Sequence, residues 1–391
     1  VASVQKRGEG SYLLVVEAGY KSDGSRAKRT KTVKADGIRE ARKLLAEFQT
    51  EVEAGEYISP EKMKVADFIE DWRTKYAQKE LESATLATYN VHIKNRIIPY
   101  FGHMRLDQVK AIHVVNFLSS LDSNIRMDGK EGGLSSGTIQ FVHRVLKNIF
   151  SRACDWKLIK VNPLADIKKP KVTQKEMQVY DEQETALLFQ TLEDEPIEWR
   201  MMVILALTTG LRRAELLGLE FEHIDMVNGT VLVKQSITMS ENGERRIKAP
   251  KTKSSVRKVS LTPSVLDDLK EYYLHERKKK LRVGDKWKGG EHFFVFSSWD
   301  GQALYPTSPT MWWRRFIIKS GLKHIRFHDL RHTAATLLIN QGVHAKTISD
   351  RLGHASISTT MNVYGHHLQV ADQEAANKLE GLFSNRKKKS L

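Results

Sequence analysis

Residues 328–367 read HDLRHTAATLLINQGVHAKTISDRLGHASISTTMNVYGHH. Apolar positions in 328–342 and again in 344–354 recur at helical spacing, so two short helices are expected. The run HDLRH opens the first, and His328 and Arg331, three apart, share one of its faces. His354 closes the second, and Tyr364 follows ten residues later among Thr359, Thr360 and other polar residues. A tyrosine in a helix is ordinarily a core residue, but Tyr364 is on no clear apolar stripe. Upstream, 208–215 read TTGLRRAE, where Gly210 suggests a turn and Arg212 a helix start aimed at an anion beside free backbone N–H groups. Glu215, three residues on, is placed to orient Arg212 or its neighbour. Guanidinium forks match phosphate oxygens at any working pH. Imidazoles donate hydrogen bonds or move protons near neutrality, and a phenol can attack phosphorus. Together Arg212, His328, Arg331, His354 and Tyr364 describe a phosphodiester site. His328 and His332, four apart, also have zinc-pair spacing, but the glutamate of HExxH is missing. No metal and no cofactor is expected.

The chain has 391 residues, 40% of them hydrophobic, enough for two or three domains with real cores. Its 63 Lys and Arg against 47 Asp and Glu leave a net charge of +16, which favours a polyanion, nucleic acid above all. One cysteine, Cys154 in an apolar run, excludes an internal disulfide framework or a Cys-rich zinc module. No signal peptide or membrane span is evident, so a cytoplasmic location is expected. The sequence begins at Val1, so an initiator Met is expected to have been removed or trimmed from the numbering.

Three segments follow from patterning, and the fold class expected is multidomain, mainly α with small β elements. Residues 1–58 suggest a β-sheet-plus-helix module: SYLLVVEAGY is strand-like, Asp23-Gly24 a hairpin turn, and a helix ends near Gly55. Lys21, Arg26, Lys28, Arg29, Lys31 and Lys34 crowd that hairpin and are candidate nucleic-acid contacts. Residues 59–172 hold four helical runs, with Thr85 and Ser135 or Ser136 at N-cap positions. Lys94, Arg96, Arg144, Lys147 and Arg152 give these helices a basic side suited to a duplex. A Gly-rich loop from Met127 lies between the third and fourth, and the Pro- and Lys-rich stretch from Asn162 reads as a linker. Residues 173–391 mix α and β: TVLVKQSITMS and RKVSLT are strand-like, joined through KAPKTKSSVRK.

The runs TGLRRAE, KTKSSVRKV, HDLRH, LGH and NVYGH, in this order, resemble the tyrosine recombinase (phage-type integrase) family over roughly 175–385. The helical segment resembles the family's core-DNA-binding domain, and the first module its arm-site-binding domain. The resemblance implies an integrase that cuts and rejoins DNA through a 3′-phosphotyrosine to insert and excise a phage or conjugative element. Tyr364 would be the nucleophile, Arg212 and Arg331 the phosphate clamp, His328 a phosphate contact or the proton acceptor for the tyrosine, and His354 an aid to phosphate contact. The family's lysine, general acid for the 5′-oxygen, falls on Lys251 or Lys253, with Lys251 preferred because the family commonly shows Lys-Thr there. Glu215 would support Arg212. Core and arm DNA, a tetramer on DNA, a directionality factor and a host DNA-bending protein are the implied partners. The stretch 369–383 is expected to be a terminal helix, docked on a neighbour or in cis. A dimer-resolving recombinase shares the chemistry but usually lacks the first module. A type IB topoisomerase also shares it, but acts as a monomer without a defined site. A DNA-binding regulator with a dead site would not need every catalytic residue type.

Overall fold

The computed structural model describes residues 2–20, 26–53, 63–123, 132–172, 177–240, 243–250, 255–354, 356–358, 360–361 and 379. The chain divides into two compact units, 1–174 and 175–391.

The first unit carries separate cores. In the N-terminal one, β1 (Ala2–Gly8), β2 (Ser11–Tyr20) and β3 (Arg26–Lys34) form an antiparallel sheet in that order. Strict alternation along β2 buries Tyr12, Leu14 and Val16 against α1 (Ile38–Glu53), whose Ala41 and Phe48 face the sheet. The Asp23-Gly24 turn, Lys21 and the Gly55 stop lie outside the described residues.

The helical part continues with α2 (Val65–Trp72), which runs through a π turn into α3 (Gln78–Glu80), then α4 (Ser83–His92) and, through another π turn, α5 (Ile98–Phe101). α6 (Ala111–Ser123) and α7 (Ser136–Asp155) complete it. Trp72, Phe101, Phe117 and Phe150 fill a continuous apolar core. The Ser135 hydroxyl accepts from the Thr138 amide at the head of α7, a cap worth about 1 kcal/mol. Thr85, expected as a cap, is inside α4, whose N-cap is Glu82. The expected linker is not free at its start. Leu164 is fully buried in the helical core, and the Gln140 side chain donates to the Pro170 carbonyl at 2.8 Å. Its apolar residues, Leu164 and Ile167, outweigh its prolines up to that point.

The second unit begins with α8 (Glu182–Leu192), α9 (Ile197–Thr209) and α10 (Arg213–Leu217). The strands β4 (Ile224–Asp225), β5 (Thr230–Val233) and β8 (Arg257–Ser260) make one antiparallel sheet. β6 (Ser236–Met239) and β7 (Arg245–Lys248) make another. The single strand-like run 230–240 is therefore split between two sheets. α11 (Pro263–Val283), α12 (Ser308–Ser320), α13 (Asp329–Asn340) and α14 (Ala345–Leu352) follow. α11 was hard to anticipate because its buried stripe is Val265, Leu269, Tyr272 and then a glutamate, Glu276. Glu276 is buried with Lys279 at 2.9 Å and the Ser297 hydroxyl at 3.2 Å, so a satisfied charge stands where an apolar residue would announce the helix. α13 packs across α9, and Ala335, Ile339, Ile348 and Leu352 lock α14 onto α13. No helix among the described residues is long and apolar enough to cross a membrane.

Candidate active site

Two glycines organise the arginines. Gly210 ends α9 and Gly353 ends α14, both with left-handed backbone (φ +64° and +69°) that a side chain would strain. Each turns its carbonyl onto an arginine: Arg331 Nη1 donates to Gly210 O at 2.6 Å, and Arg212 Nη2 to Gly353 O at 3.0 Å. A Cβ on Gly210 would come within 2.5 Å of Leu352 Cδ2, so any other residue there would displace the buried Leu352 side chain of α14. Arg212 and Arg331, 119 positions apart in the chain, are thus seated on the two helix ends that flank the site.

Arg212 is also held by Glu215, which is buried. Its carboxylate accepts from Arg212 Nη1 at 2.7 Å and from the Arg212 amide at 2.9 Å. The amide expected to be free for an anion is therefore used internally, and α10, five residues long, supplies no anion seat. A second guanidinium, Arg257 on β8, reaches the same carboxylate at 2.8 and 3.3 Å. Burial alone would raise the Glu215 pKa; hydrogen bonding and charge from Arg257, then Arg212, reverse that and hold it below the ordinary value.

His328 stands at the N-terminal end of α13, and Arg331, 3% exposed, lies one turn on. The Asp329 carboxylate is turned away to Arg326, accepting from its amide (2.8 Å), Nε (2.9 Å) and Nη2 (2.7 Å). The His332 ring stands edge-on to His328 with centroids 5.3 Å apart. Among the described residues no group of His, Cys, Asp or Glu is arranged to hold a metal ion. His354 Nδ1 lies 2.8 Å from the Thr360 hydroxyl.

The imidazoles share one electrostatic fate. His328 is exposed, yet its inner side is desolvated and Arg331 is close, so its pKa falls below 6.5. Desolvation, then the His328 ring, carries His332 down to about 4. Desolvation, then Arg331 and Arg212, carries His354 to about 4. All three are neutral at neutral pH in the free protein. Above pH 6.5 neither folded nor unfolded chain protonates them. Between about 6.5 and 4 the unfolded chain binds protons that the folded one refuses, so stability falls as pH falls. Calorimetry of the full chain should show the melting temperature dropping between pH 7 and about pH 5, with a shallower slope in His332→Gln and His354→Gln. Parallel slopes in wild type and both variants would contradict this.

Tyr364, Lys251 and Lys253 lie outside the described residues, as does 369–383 apart from Leu379. Sequence reasoning missed Arg257. A signal existed: Arg257 and Val259 point the same way on β8, Val259 is 1% exposed, and the Arg257 side chain is 7% exposed. An arginine on the core side of a short strand implies a buried partner.

The basic residues of the first unit sort by register. Cross-strand partners share a face, so Arg29 and Lys31, opposite Val16 and Leu14, lie on the α1 side. Lys31 pairs with Glu51 at 3.2 Å and covers the Phe48 ring. Lys28, opposite Glu17, shares the open face with Thr30 and Thr32, opposite Val15 and Leu13. Arg26 pairs with Glu17 at 3.2 Å. On the helices, Lys94, Arg144 and Lys147 are exposed. Arg96 is half-buried, 3.0 Å from His92 Nδ1.

Comparison with known proteins shows the family. The phage integrase family matches residues 178–370, and the N-terminal SAM-like domain of phage integrases matches 64–121. The chain belongs to this family of tyrosine recombinases. A tyrosine recombinase XerC-like protein of Caldanaerobacter subterraneus subsp. tengcongensis is 27% identical across 97% of this chain and 98% of its own length. The ICEBs1 integrase of Bacillus subtilis is also 27% identical, across 97% of this chain and all of its own. The Tn1549 transposon integrase in complex with transposon right end DNA superposes with a TM-score of 0.65 over 80% of this chain and all of that one, at 22% identity. A lambda integrase tetramer bound to a Holliday junction gives 0.54 over 90% of this chain and 95% of that one, at 19% identity. The chain is a tyrosine-type site-specific recombinase of the integrase kind.

Proposed function

We propose that this chain integrates and excises a mobile element, with Tyr364 as nucleophile and Arg212, Arg331, His328, His354 and Lys251 around the scissile phosphate. The observation that supports this most is the seating of Arg212 and Arg331 on the carbonyls of Gly210 and Gly353, with Glu215 locking the first. Guanidiniums fixed before substrate arrives stabilise the charge that builds on the non-bridging oxygens. The Tyr364 hydroxyl oxygen bonds to phosphorus as the bond to the 5′-oxygen breaks. His328, neutral at pH 7, takes the phenol proton. Lys251, or Lys253 in its stead, protonates the departing 5′-oxygen. His354 Nδ1 lies 2.8 Å from the Thr360 hydroxyl, and in the tautomer protonated on Nε2 the ring donates to the phosphate. The 3′-phosphotyrosine keeps the energy of the broken bond, so the incoming 5′-hydroxyl restores the diester without an external source. The decisive experiment traps that adduct on a nicked duplex bearing the crossover sequence, read from the element's junctions, and maps the modified residue.

Three domains suit this work: 1–58 for arm sites, 59–172 for the core site and 173–391 for catalysis. Lys28, Thr30 and Thr32 on the open sheet face are the candidate contacts to the arm duplex, with Arg26 paired to Glu17 and Arg29 and Lys31 on the α1 side. Lys94, Arg144 and Lys147, with Arg96 behind them, serve the core duplex. Four strand breaks per exchange call for four protomers, and 369–383 is a candidate tie between them. A cytoplasmic location, a directionality factor and a host bending protein complete the reading. Deleting residues 1–57 should leave core-site cleavage within about threefold of the full chain while reducing integration at sites with distal arms by at least about tenfold. Undiminished integration would remove the arm-binding role.

A further inference from the structure

We infer that Arg257 is a positioning residue for the recombination chemistry: one guanidinium ties Arg212, the turn that follows 251–254 and the end of α14 into a single unit. The inference rests on the catalytic reading of Arg212 above. Arg257 divides its donors among three elements. Nη2 and Nη1 grip Glu215 at 2.8 and 3.3 Å, and Glu215 in turn holds Arg212. Nη1 also donates to the Ser255 carbonyl at 3.2 Å, and Ser255 directly follows the stretch 251–254 that holds Lys251 and Lys253 in the sequence. Nε donates to the Arg351 carbonyl at 2.7 Å, three residues before His354.

The seat is tight. The Arg257 side chain is 7% exposed, and a Cβ on Gly353 would lie 2.8 Å from Nη1. The Gly353 carbonyl on that same turn receives Arg212, so a shift of Arg257 disturbs Arg212 from both sides, through Glu215 and through the end of α14. The Arg257 guanidinium donates to Glu215, Ser255 and Arg351, all outside the proposed reacting set. Its effect on rate passes through the groups it places. Lysine keeps the charge but has one compact ammonium, which cannot span a carboxylate and two carbonyls in different directions.

The test compares two nicked substrates with the same crossover sequence, one with the natural phosphodiester and one with a methylphosphonate at the scissile position. Methylphosphonate removes the negative charge that Arg212 neutralises, so losing that charge contact matters less on it. The ratio of the two cleavage rates is taken within one preparation of full-length protein, so any unfolded fraction cancels. Arg257→Ala should cleave the phosphodiester on the order of 100-fold more slowly, as a displaced catalytic group does. Its methylphosphonate-to-phosphodiester ratio should rise at least about tenfold above wild type, in the direction of Arg212→Ala. Arg257→Lys should resemble Arg257→Ala. An unchanged ratio in Arg257→Ala, with a raised one in Arg212→Ala, would overturn this inference alone. Wild-type behaviour of Arg257→Lys would reduce Arg257 to a charge and overturn it too. An unchanged ratio in Arg212→Ala would overturn the assignment of Arg212, and this inference with it.

Discussion

In a Tyr364→Phe chain, no covalent protein–DNA adduct accumulates on a nicked substrate, while DNA binding stays at the wild-type level. Phenylalanine keeps the ring and loses only the oxygen that would bond to phosphorus, so packing is preserved and the chemistry is not. The expected fall in adduct formation is about 10⁴-fold or more, the loss of a covalent route rather than of one contact. Two other tyrosines of the catalytic unit, Tyr180 and Tyr272, are poor substitutes. Tyr180 and Tyr272 are buried, burial pushes both phenols up, and their hydroxyls donate to the Lys323 and Val295 carbonyls at 2.7 and 2.8 Å. Denaturing electrophoresis of the trapped complex reads the result directly. Adduct at the wild-type level would place the nucleophile elsewhere.

Arg331→Ala should slow cleavage by about 10³-fold or more, comparable to removing an arginine that stabilises a phosphoryl transition state. Arg331 is 3% exposed and seated on Gly210 O at 2.6 Å, so its guanidinium is already oriented before DNA arrives. Arg331→Lys should recover little, because an ammonium cannot hold that carbonyl and two phosphate oxygens together. The variant has a second signature. Arg331 is the leading charge that depresses the His354 pKa, so in Arg331→Ala that pKa should move back up from about 4 toward 6.5. Nuclear magnetic resonance titration of the imidazoles measures this in the absence of DNA. A His354 titration identical to wild type, or cleavage within about tenfold of it, would take Arg331 out of the site.

Much of the helical framework was legible because it follows from local rules. The Ser135 cap, the alternation of β2 and the periodicity of α13 and α14 each need only neighbours within a few residues. Thr85 misled because a hydroxyl suits both a cap and a helix interior, and Glu82 begins α4 one turn earlier. α11 was hidden by the buried Glu276, whose partner Ser297 is 21 residues away. The linker from Asn162 looked free because composition does not say that Leu164 finds a cavity in the helical core.

The site divides in the same way. The sequence by itself determined the residue types: two arginines, one imidazole three residues before Arg331 and another at a helix end, and Glu215 one turn from Arg212. Hydrogen-bonding capacity and helical spacing are properties of the local chain. Only the tertiary structure decided what those groups are free to do. It turned the Gly210 and Gly353 carbonyls onto Arg331 and Arg212, spent the Arg212 amide on Glu215, and brought Arg257 from 42 positions away to the same carboxylate. It also desolvated three imidazoles enough to leave them neutral. Burial and long-range pairing depend on which distant elements pack together, and local periodicity carries no record of that.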